Sequence, residues 1–414
     1  MRVLEGAAAV RYAADLIYRS ATIDPKVERT VQQIVEDVRS RGEHALRKYA
    51  EKLDGLPKGR SCEVSENEMK AAYRAVPKKF LKALESAEKN VRKFAEWQKP
   101  KEWMRTIQPG VRVGQKVAPL RSVGCYVPGG RYPLPSSLLM TVIPAQVAGV
   151  WTISVASPNP AKETLAAAAM LGVKYFYRLG GAQAIAAFAF GAEPVFAVDK
   201  IVGPGNAYVT AAKKLVASDC AIDMLAGPTE IVCVSDLGNP KFIAADLVAQ
   251  AEHDPKTLPI FLTSKLALAK SVVLEVKKLA RGNDIALRSL RANGVALVMP
   301  QGRIQALGFA DAIGPEHLTM DKRDLKGTMS AGSIFVGPYS AQALGDYVSG
   351  PNHVLPTGNV ARYRGGLSVL DFLKIITVQE VSKAGLKRIG PTAITLAEAE
   401  GLRAHAESVR VRLR

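Results

Sequence analysis

Cysteine is scarce and scattered in this chain of 414 residues. Cys62, Cys125, Cys220 and Cys233 are the only four, and no two form a Cys-x-x-Cys pair. That excludes a disulfide scaffold and a thiolate zinc module, and it fits a reducing cytosol. Aromatic residues make up only 6% of the chain, and no aromatic RNA-binding signature or zinc-finger spacing occurs. The formal charge of +18 therefore predicts no nucleic-acid partner, because Lys and Arg are spread along the chain and interleaved with acids. A basic surface of this kind draws in anionic ligands and aids solubility. At the N-terminus Glu5, Arg11 and Asp15 interrupt any apolar core, so no secretory signal is expected there, and the chain reads as cytoplasmic.

Long hydrophobic runs are nearly absent too. The exception is the uncharged stretch Ser136 to Ser157. Pro144, Gln146 and Gly149 divide it, which predicts a buried helix over 137–148 and a strand over 152–156, not a membrane span. There is no internal sequence repeat and no low-complexity linker.

Histidine is rare as well, at five residues, but its placement is informative. His44 lies on a charged helical stretch. His253, His317, His353 and His405 sit beside carboxylates, amides and glycines. Imidazole titrates near neutrality and is the commonest metal ligand, so these segments are candidates for one converging site.

Regular structure is legible from periodicity. Asp24-Pro25 is a helix N-cap followed by proline, and Val27, Val31, Ile34, Val35 and Val38 recur at helical spacing. Ser65-x-x-Glu68 is a capping box. The stretch from Lys78 to Glu102 reads as a solvated amphipathic helix. Beyond it, strands are predicted at 111–117, 123–127, 152–156, 175–179, 198–202, 230–234, 259–263, 295–299 and 333–336. Helices at 161–171, 183–190, 207–216, 240–252 and 266–279 intervene. This alternation predicts an α/β fold with two Rossmann-like parallel-sheet domains, helices on both faces, and small helical N- and C-terminal extensions. The expected partition is an N-terminal helical arm over 1–22, a discontinuous domain over 23–125 and 230–368, an inserted domain over 126–229, and a helical extension over 369–414 that reaches toward a partner subunit.

Several segments carry candidate chemistry. Gln250 and His253, three residues apart, are expected on one face of the helix opened by Asn239-Pro240, where a metal can bridge them. Glu316-His317 follows Gly314-Pro315 and is expected in a turn, offering two proton-transfer groups. Asp346 and His353 lie in a loop rich in Gly and Pro, and Asp346 offers the anionic oxygen a dication prefers. Val127-Pro128-Gly129-Gly130, Gly180-Gly181-Ala182-Gln183 and Gly203-Pro204-Gly205-Asn206 stand at strand-to-helix junctions, where backbone can approach a phosphate. None is the Gly-x-Gly-x-x-Gly fingerprint.

Taken together, these segments resemble the histidinol dehydrogenase family from about Asp24 to the C-terminus. Eight motifs occur in the family's order. They are Tyr126 to Gly130, Gly180 to Ala186, Val198 to Asn206, Ala226 to Glu230, Gln250 to Asp254, Gly314 to Leu318, Gly345 to His353, and Ala397 to His405. The resemblance implies NAD-dependent, four-electron oxidation of L-histidinol through L-histidinaldehyde to L-histidine, the last steps of histidine biosynthesis. It implies one zinc ion per subunit, held by Gln250, His253, Asp346 and His405. It makes Glu316 and His317 the acid/base residues. Thr229, His353 and Glu400 become substrate contacts along with His317 and the zinc ligands. Tyr126, Gln183 and Asn206 become NAD contacts and put the cofactor on the 126–229 domain. The family is homodimeric, with Glu400 and His405 donated across the interface.

Two features depart from the family's pattern. Thr229 stands where Ser is usual, and Arg131-Tyr132-Pro133-Leu134-Pro135 replaces small residues. They keep open a second reading, a zinc- and NAD-dependent enzyme for another small polar or anionic alcohol such as a sulfonated diol. A third, a metal- or nucleic-acid-binding protein without turnover, is disfavoured by the retention of Glu316 and His317 beside all four candidate ligands.

Overall fold

A computed structural model describes residues 1–19, 23–129 and 133–414. The part of the 126–130 motif at Gly130, and Arg131 and Tyr132 after it, lie outside the described residues. Among the described residues the chain forms fourteen strands. They are β1 (Arg2–Glu5), β2 (Trp103–Gln108), β3 (Val111–Pro119), β4 (Ser122–Tyr126), β5 (Thr152–Ala156), β6 (Tyr175–Tyr177) and β7 (Lys200–Val202). Then come β8 (Ala221–Ile222), β9 (Glu230–Val234), β10 (Leu258–Thr263), β11 (Val295–Val298), β12 (His317–Met320), β13 (Ser333–Val336) and β14 (Leu373–Val381).

Two sheets are wholly parallel, as the alternation predicts. One has the order β6-β5-β4-β7-β8, the other β1-β11-β10-β9-β12-β13. Their strands are short apolar runs because both faces are covered. In β9, Ile231 and Cys233 pack under the helices at Pro240–Ala251 and Leu266–Leu279, while Val232 and Val234 face those at Gly6–Ile17 and Arg303–Ile313. In the five-stranded sheet, Cys125 and Val155 face the helix Pro135–Ala148, and Tyr126 and Ala156 face the helices Gly181–Phe190 and Ala207–Val216.

The uncharged run behaves as its sequence predicts. The helix Pro135–Ala148 is almost wholly buried, and Gly149, in the left-handed region, ends it before β5. No helix of the described residues is long and apolar enough to cross a membrane.

The chain packs differently from the expected partition. The helix Pro25–Leu53 lies on the helices 181–190 and 207–216, Glu66–Ala75 on 162–170, and Lys78–Gln98 on 135–148. The helices of segment 23–125 thus cover the helices on both faces of the five-stranded sheet. The segment's last strand, β4, is also the central strand there. The N-terminal arm is not only helical: β1 pairs with β11 at the edge of the six-stranded sheet. The C-terminal extension likewise contains a strand, after a 3-10 turn at Val369–Phe372. β14 pairs antiparallel with β3, and β2 completes that small sheet.

Candidate active site

A helix stop places the expected acid/base pair. The helix Arg303–Ile313 ends on Gly314 in the left-handed region, and Pro315 then turns the chain into β12. His317 is therefore the first residue of an interior strand, paired with Ile231 and Ser333, and not a turn residue. Register with β9 and β13 overrides the turn signal.

Glu316 and His317 are both buried. The Glu316 Oε2 accepts the backbone N–H of Glu230 at 3.1 Å and lies 3.8 Å from His317 Nδ1. His317 Nε2 lies 3.6 Å from Asp346 Oδ1, and the ring stacks against Phe335. Neither ring nitrogen has a hydrogen-bond partner among the described residues. Burial pushes the Glu316 carboxyl up to about 7. Burial works against a charged His317, yet Glu316 and Asp346 outweigh it and hold the imidazole above its ordinary pKa. Burial likewise raises Asp346, but the adjacent His317 imidazole brings it below the usual carboxylate range. The arrangement is an imidazole between two carboxylates, suited to moving protons near neutral pH.

Asp346 also receives the Gln250 amide, Nε2 to Oδ2 at 3.2 Å, and Gln250 is fully buried. Its Oε1 is left as an oxygen donor. The helix carrying Gln250 ends at Ala251, so His253 lies in the following turn and not on the expected helix face. The turn folds back, with the His253 N–H on the Gln250 carbonyl at 3.2 Å. The exposed His253 is close enough to act electrostatically on Asp346 and His353. His353 Nδ1 donates to the Asp346 carbonyl at 2.7 Å, which leaves Nε2 to accept from Ser137 Oγ at 3.3 Å. Burial lowers the His353 pKa and favours this neutral form.

A carboxylate, an amide oxygen and an imidazole fit a dication such as zinc, and the orphaned nitrogens of His317 fit a polar ligand beside it. Among the described residues no group of three or more His, Cys, Asp or Glu side chains is arranged to hold a metal ion. Glu400 and His405 are exposed on the C-terminal helices. They make no hydrogen bond or ion pair with Gln250, His253 or Asp346 among the described residues.

The expected cofactor residues gather on the five-stranded sheet. Its strand order reverses between β4 and β7, and ligands of such sheets bind beyond the carboxyl ends at that point. Tyr126 ends β4, and Gly203 follows β7. Gly203 has φ +116°, and a Cβ there would sit 2.0 Å from the Tyr126 carbonyl oxygen. Tyr126 Oη accepts the Gly181 N–H at 3.1 Å, and burial pushes the phenol up to about 12, so it stays protonated. Gln183 donates to Asp54 at 2.9 Å, and its buried Oε1 has no partner among the described residues. Asn206 caps the helix 207–216 through Tyr208 and Val209 N–H. The lack of side chains at Gly203 and the orphaned Gln183 oxygen fit close approach by a dinucleotide such as NAD.

A cavity of about 150 Å³ joins the two regions. Gly203, Pro204 and Gly205 line one side, and Thr229, Glu316 and His353 the other. Arg19, Asp54, Ser137 and Glu230 support this site and were not singled out from sequence. Only Glu230 left a signal, as a carboxylate opening the apolar strand Ile231–Val234.

Two parallel sheets, a strand-order reversal and a buried carboxylate–imidazole pair, whose Glu316 lines the cavity, form the frame of an α/β enzyme. The chain belongs to the histidinol dehydrogenase family, whose model matches residues 17–413. It is 43% identical to histidinol dehydrogenase of Methanothermobacter thermautotrophicus over 98% of this chain and 97% of that one. It is 44% identical to that of Halalkalibacterium halodurans over 93% and 94%. The crystal structure of histidinol dehydrogenase from Elizabethkingia anophelis superposes with a TM-score of 0.94 at 34% identity, covering 100% of this chain and 98% of that one.

Proposed function

We propose that this protein oxidises L-histidinol to L-histidine through the aldehyde, with NAD as hydride acceptor and a zinc ion in the site. The observation that carries the reading is the shared cavity, in which Glu316 faces the Gly203–Gly205 loop. A dication held by Gln250, His253 and Asp346 would orient the substrate's nitrogens and fix the alcohol carbon toward that loop. His317 takes the hydroxyl proton as the first hydride departs. Glu316 then takes a proton from the water that adds to the aldehyde, giving a hydrate from which the second hydride leaves. Tyr126, Gln183 and Asn206 bind the dinucleotide, and Thr229 and His353 bound the substrate.

We place Glu400 and His405 in the site of a second copy, where His405 completes the zinc ligands. The exposed apolar residues Trp103, Met104 and Ile107 of β2 and Ile375, Ile376, Val378 and Val381 of β14 support a dimer, since such patches mark contact surfaces.

The test is NADH yield on a panel of alcohols. Two NADH per histidinol are expected, and His317→Asn should lose roughly 10²–10⁴-fold in turnover with zinc content unchanged. Oxidation of a sulfonated or carboxylated diol alone would move the assignment to another substrate, with Thr229 as the first residue to exchange for Ser.

A further inference from the structure

The N-terminal arm reaches the back of the catalytic pair. Asn359 Nδ2 donates to the carbonyls of Ile17 and Arg19 at 3.0 and 2.8 Å, and Arg362 donates to Ile17 at 2.8 Å. So pinned, Arg19 extends its guanidinium to the Glu230 carboxylate and forms an ion pair. Glu230 is 1% exposed, and its Oε1 also accepts the Gly358 N–H at 2.8 Å. Its own backbone N–H is the donor to Glu316 Oε2. Glu230 thus stands between the arm's cation and the catalytic carboxylate, and the reaction scheme uses neither Arg19 nor Glu230.

A carboxylate at the mouth of a buried strand is costly unless it is paired. Two carboxylates in one desolvated site cannot both ionise cheaply and tend to retain a proton between them. Burial still raises the Glu230 carboxyl above its ordinary value, and Arg19 is the strongest influence working the other way. The other charged groups facing Glu316 are His317 beside it on β12 and Asp346 from the helix Gln342–Tyr347.

We propose that Arg19 and Glu230 are a positioning pair for Glu316: the arm's guanidinium, paired with Glu230 Oε1, favours the ionised form of Glu230, so that Glu316 exchanges the proton during aldehyde hydration. This deepens the functional reading above and rests on its assignment of Glu316 as the base. Two charges of opposite sign, one behind the other, give the proposal a signature that mere structural support lacks.

The test uses the zinc-loaded enzyme with Arg19→Met, Glu230→Gln and the double variant. Two readouts are taken: the pH dependence of NADH formation from the aldehyde, and infrared titration of the protonated carboxyl band of Glu316, identified by its loss in Glu316→Gln. Arg19→Met leaves Glu230 and Glu316 to compete for a proton, so the acid limb should move to higher pH by about one unit. Glu230→Gln leaves the guanidinium uncompensated behind Glu316, so the limb should move to lower pH. The double variant should return close to the wild-type profile.

Displacement of both single variants in the same direction overturns the proposal. So does an unmoved band in variants that melt like the wild type, or a double variant that fails to return. If Arg19→Met does not fold, the downward shift in Glu230→Gln and its reversal in the double variant decide the matter. Should Glu316→Gln oxidise the aldehyde at the wild-type rate, the assignment of Glu316 itself falls, and the pair loses its purpose with it.

Discussion

The two parallel sheets are built to one plan and used at opposite ends. If each sheet's strands are counted along the chain from β4 and from β9, both run third, second, first, fourth, fifth, with β1 added at one edge of the larger. The five-stranded sheet offers its carboxyl ends at the reversal point, where Tyr126 ends β4 and Gly203, after β7, lines the cavity. The six-stranded sheet offers its amino ends, through Glu230 on β9 and His317 on β12. Its own reversal point is filled from within. Ser235 donates to Asp321 at 3.1 Å, and Asp236 accepts Thr263 at 2.9 Å and Ser264 Oγ at 2.7 Å. Carboxylates there repel a phosphate, and the hydroxyls around them are already spent. Shared topology therefore does not locate a site; the charge and free hydrogen-bonding groups at each sheet end do.

The largest effect that would test this division concerns what the amino-end site borrows. If His405 of one copy completes the site of another, His405→Asn and Asp346→Asn should each be inactive as pure dimers. Mixed dimers of the two should regain activity, because one of their two sites then holds an intact Asp346 facing an intact His405. Refolding the variants together and assaying NADH formation checks it. A mixture as inactive as its parents would mean that each chain builds its site alone.

The carboxyl-end site gives a smaller effect. Gly203→Ala forces a Cβ against the Tyr126 carbonyl at a positive φ. Its Gly203 N–H and C=O are held by Asp223 and Lys213, so the loop cannot easily yield. A strained residue of this kind costs about 1–3 kcal/mol, and NADH affinity should fall by roughly tenfold. Zinc content should not change. Fluorescence titration of NADH and metal analysis separate the two outcomes, and a loss of zinc with unchanged NADH affinity would reverse the roles of the two sheets.

Much of this comparison was legible in sequence, for a physical reason. Parallel strands buried on both faces, such as Glu230–Val234, leave short apolar runs between amphipathic helices, and the α/β class follows from that rhythm. The helix caps at Asp24 and Ser65 were equally plain, and both side chains accept the backbone N–H groups the spacing predicts. The strands β2 and β14 were not legible: almost every residue in them is exposed, so no alternation betrays them. What the helices of segment 23–125 pack on was not legible, because a helix's apolar stripe shows that it packs, not on what. At the site, the scarcity of histidine singled out the segments of His253, His317 and His353, which lie near Asp346, and that of His405, which does not within one chain. Arg19 and Asp54 stayed hidden because their partners, Glu230 and Gln183, are far away in sequence.

The smallest expected effect lies at the reversal point of the six-stranded sheet. Asp321 follows β12, four residues beyond His317, or about 13 Å along the strand at roughly 3.3 Å per residue. Its carboxylate serves Ser235, whose Oγ in turn accepts the N–H groups of Leu237 and Gly238 at 3.2 and 2.8 Å. That network closes the turn after β9 and has no free group for a ligand. Asp321→Asn keeps an acceptor for Ser235 and removes only the charge, so stability should fall by about 1 kcal/mol, the scale of one hydrogen bond. Turnover and NADH affinity should both stay within about twofold, since a tenfold change would need 1.4 kcal/mol of coupling to the far end of the strand. Denaturant melts and NADH titration measure the two quantities on one preparation. A changed NADH affinity with unchanged stability would show that the second reversal point still takes part in dinucleotide binding, and that the division between the sheets is one of degree.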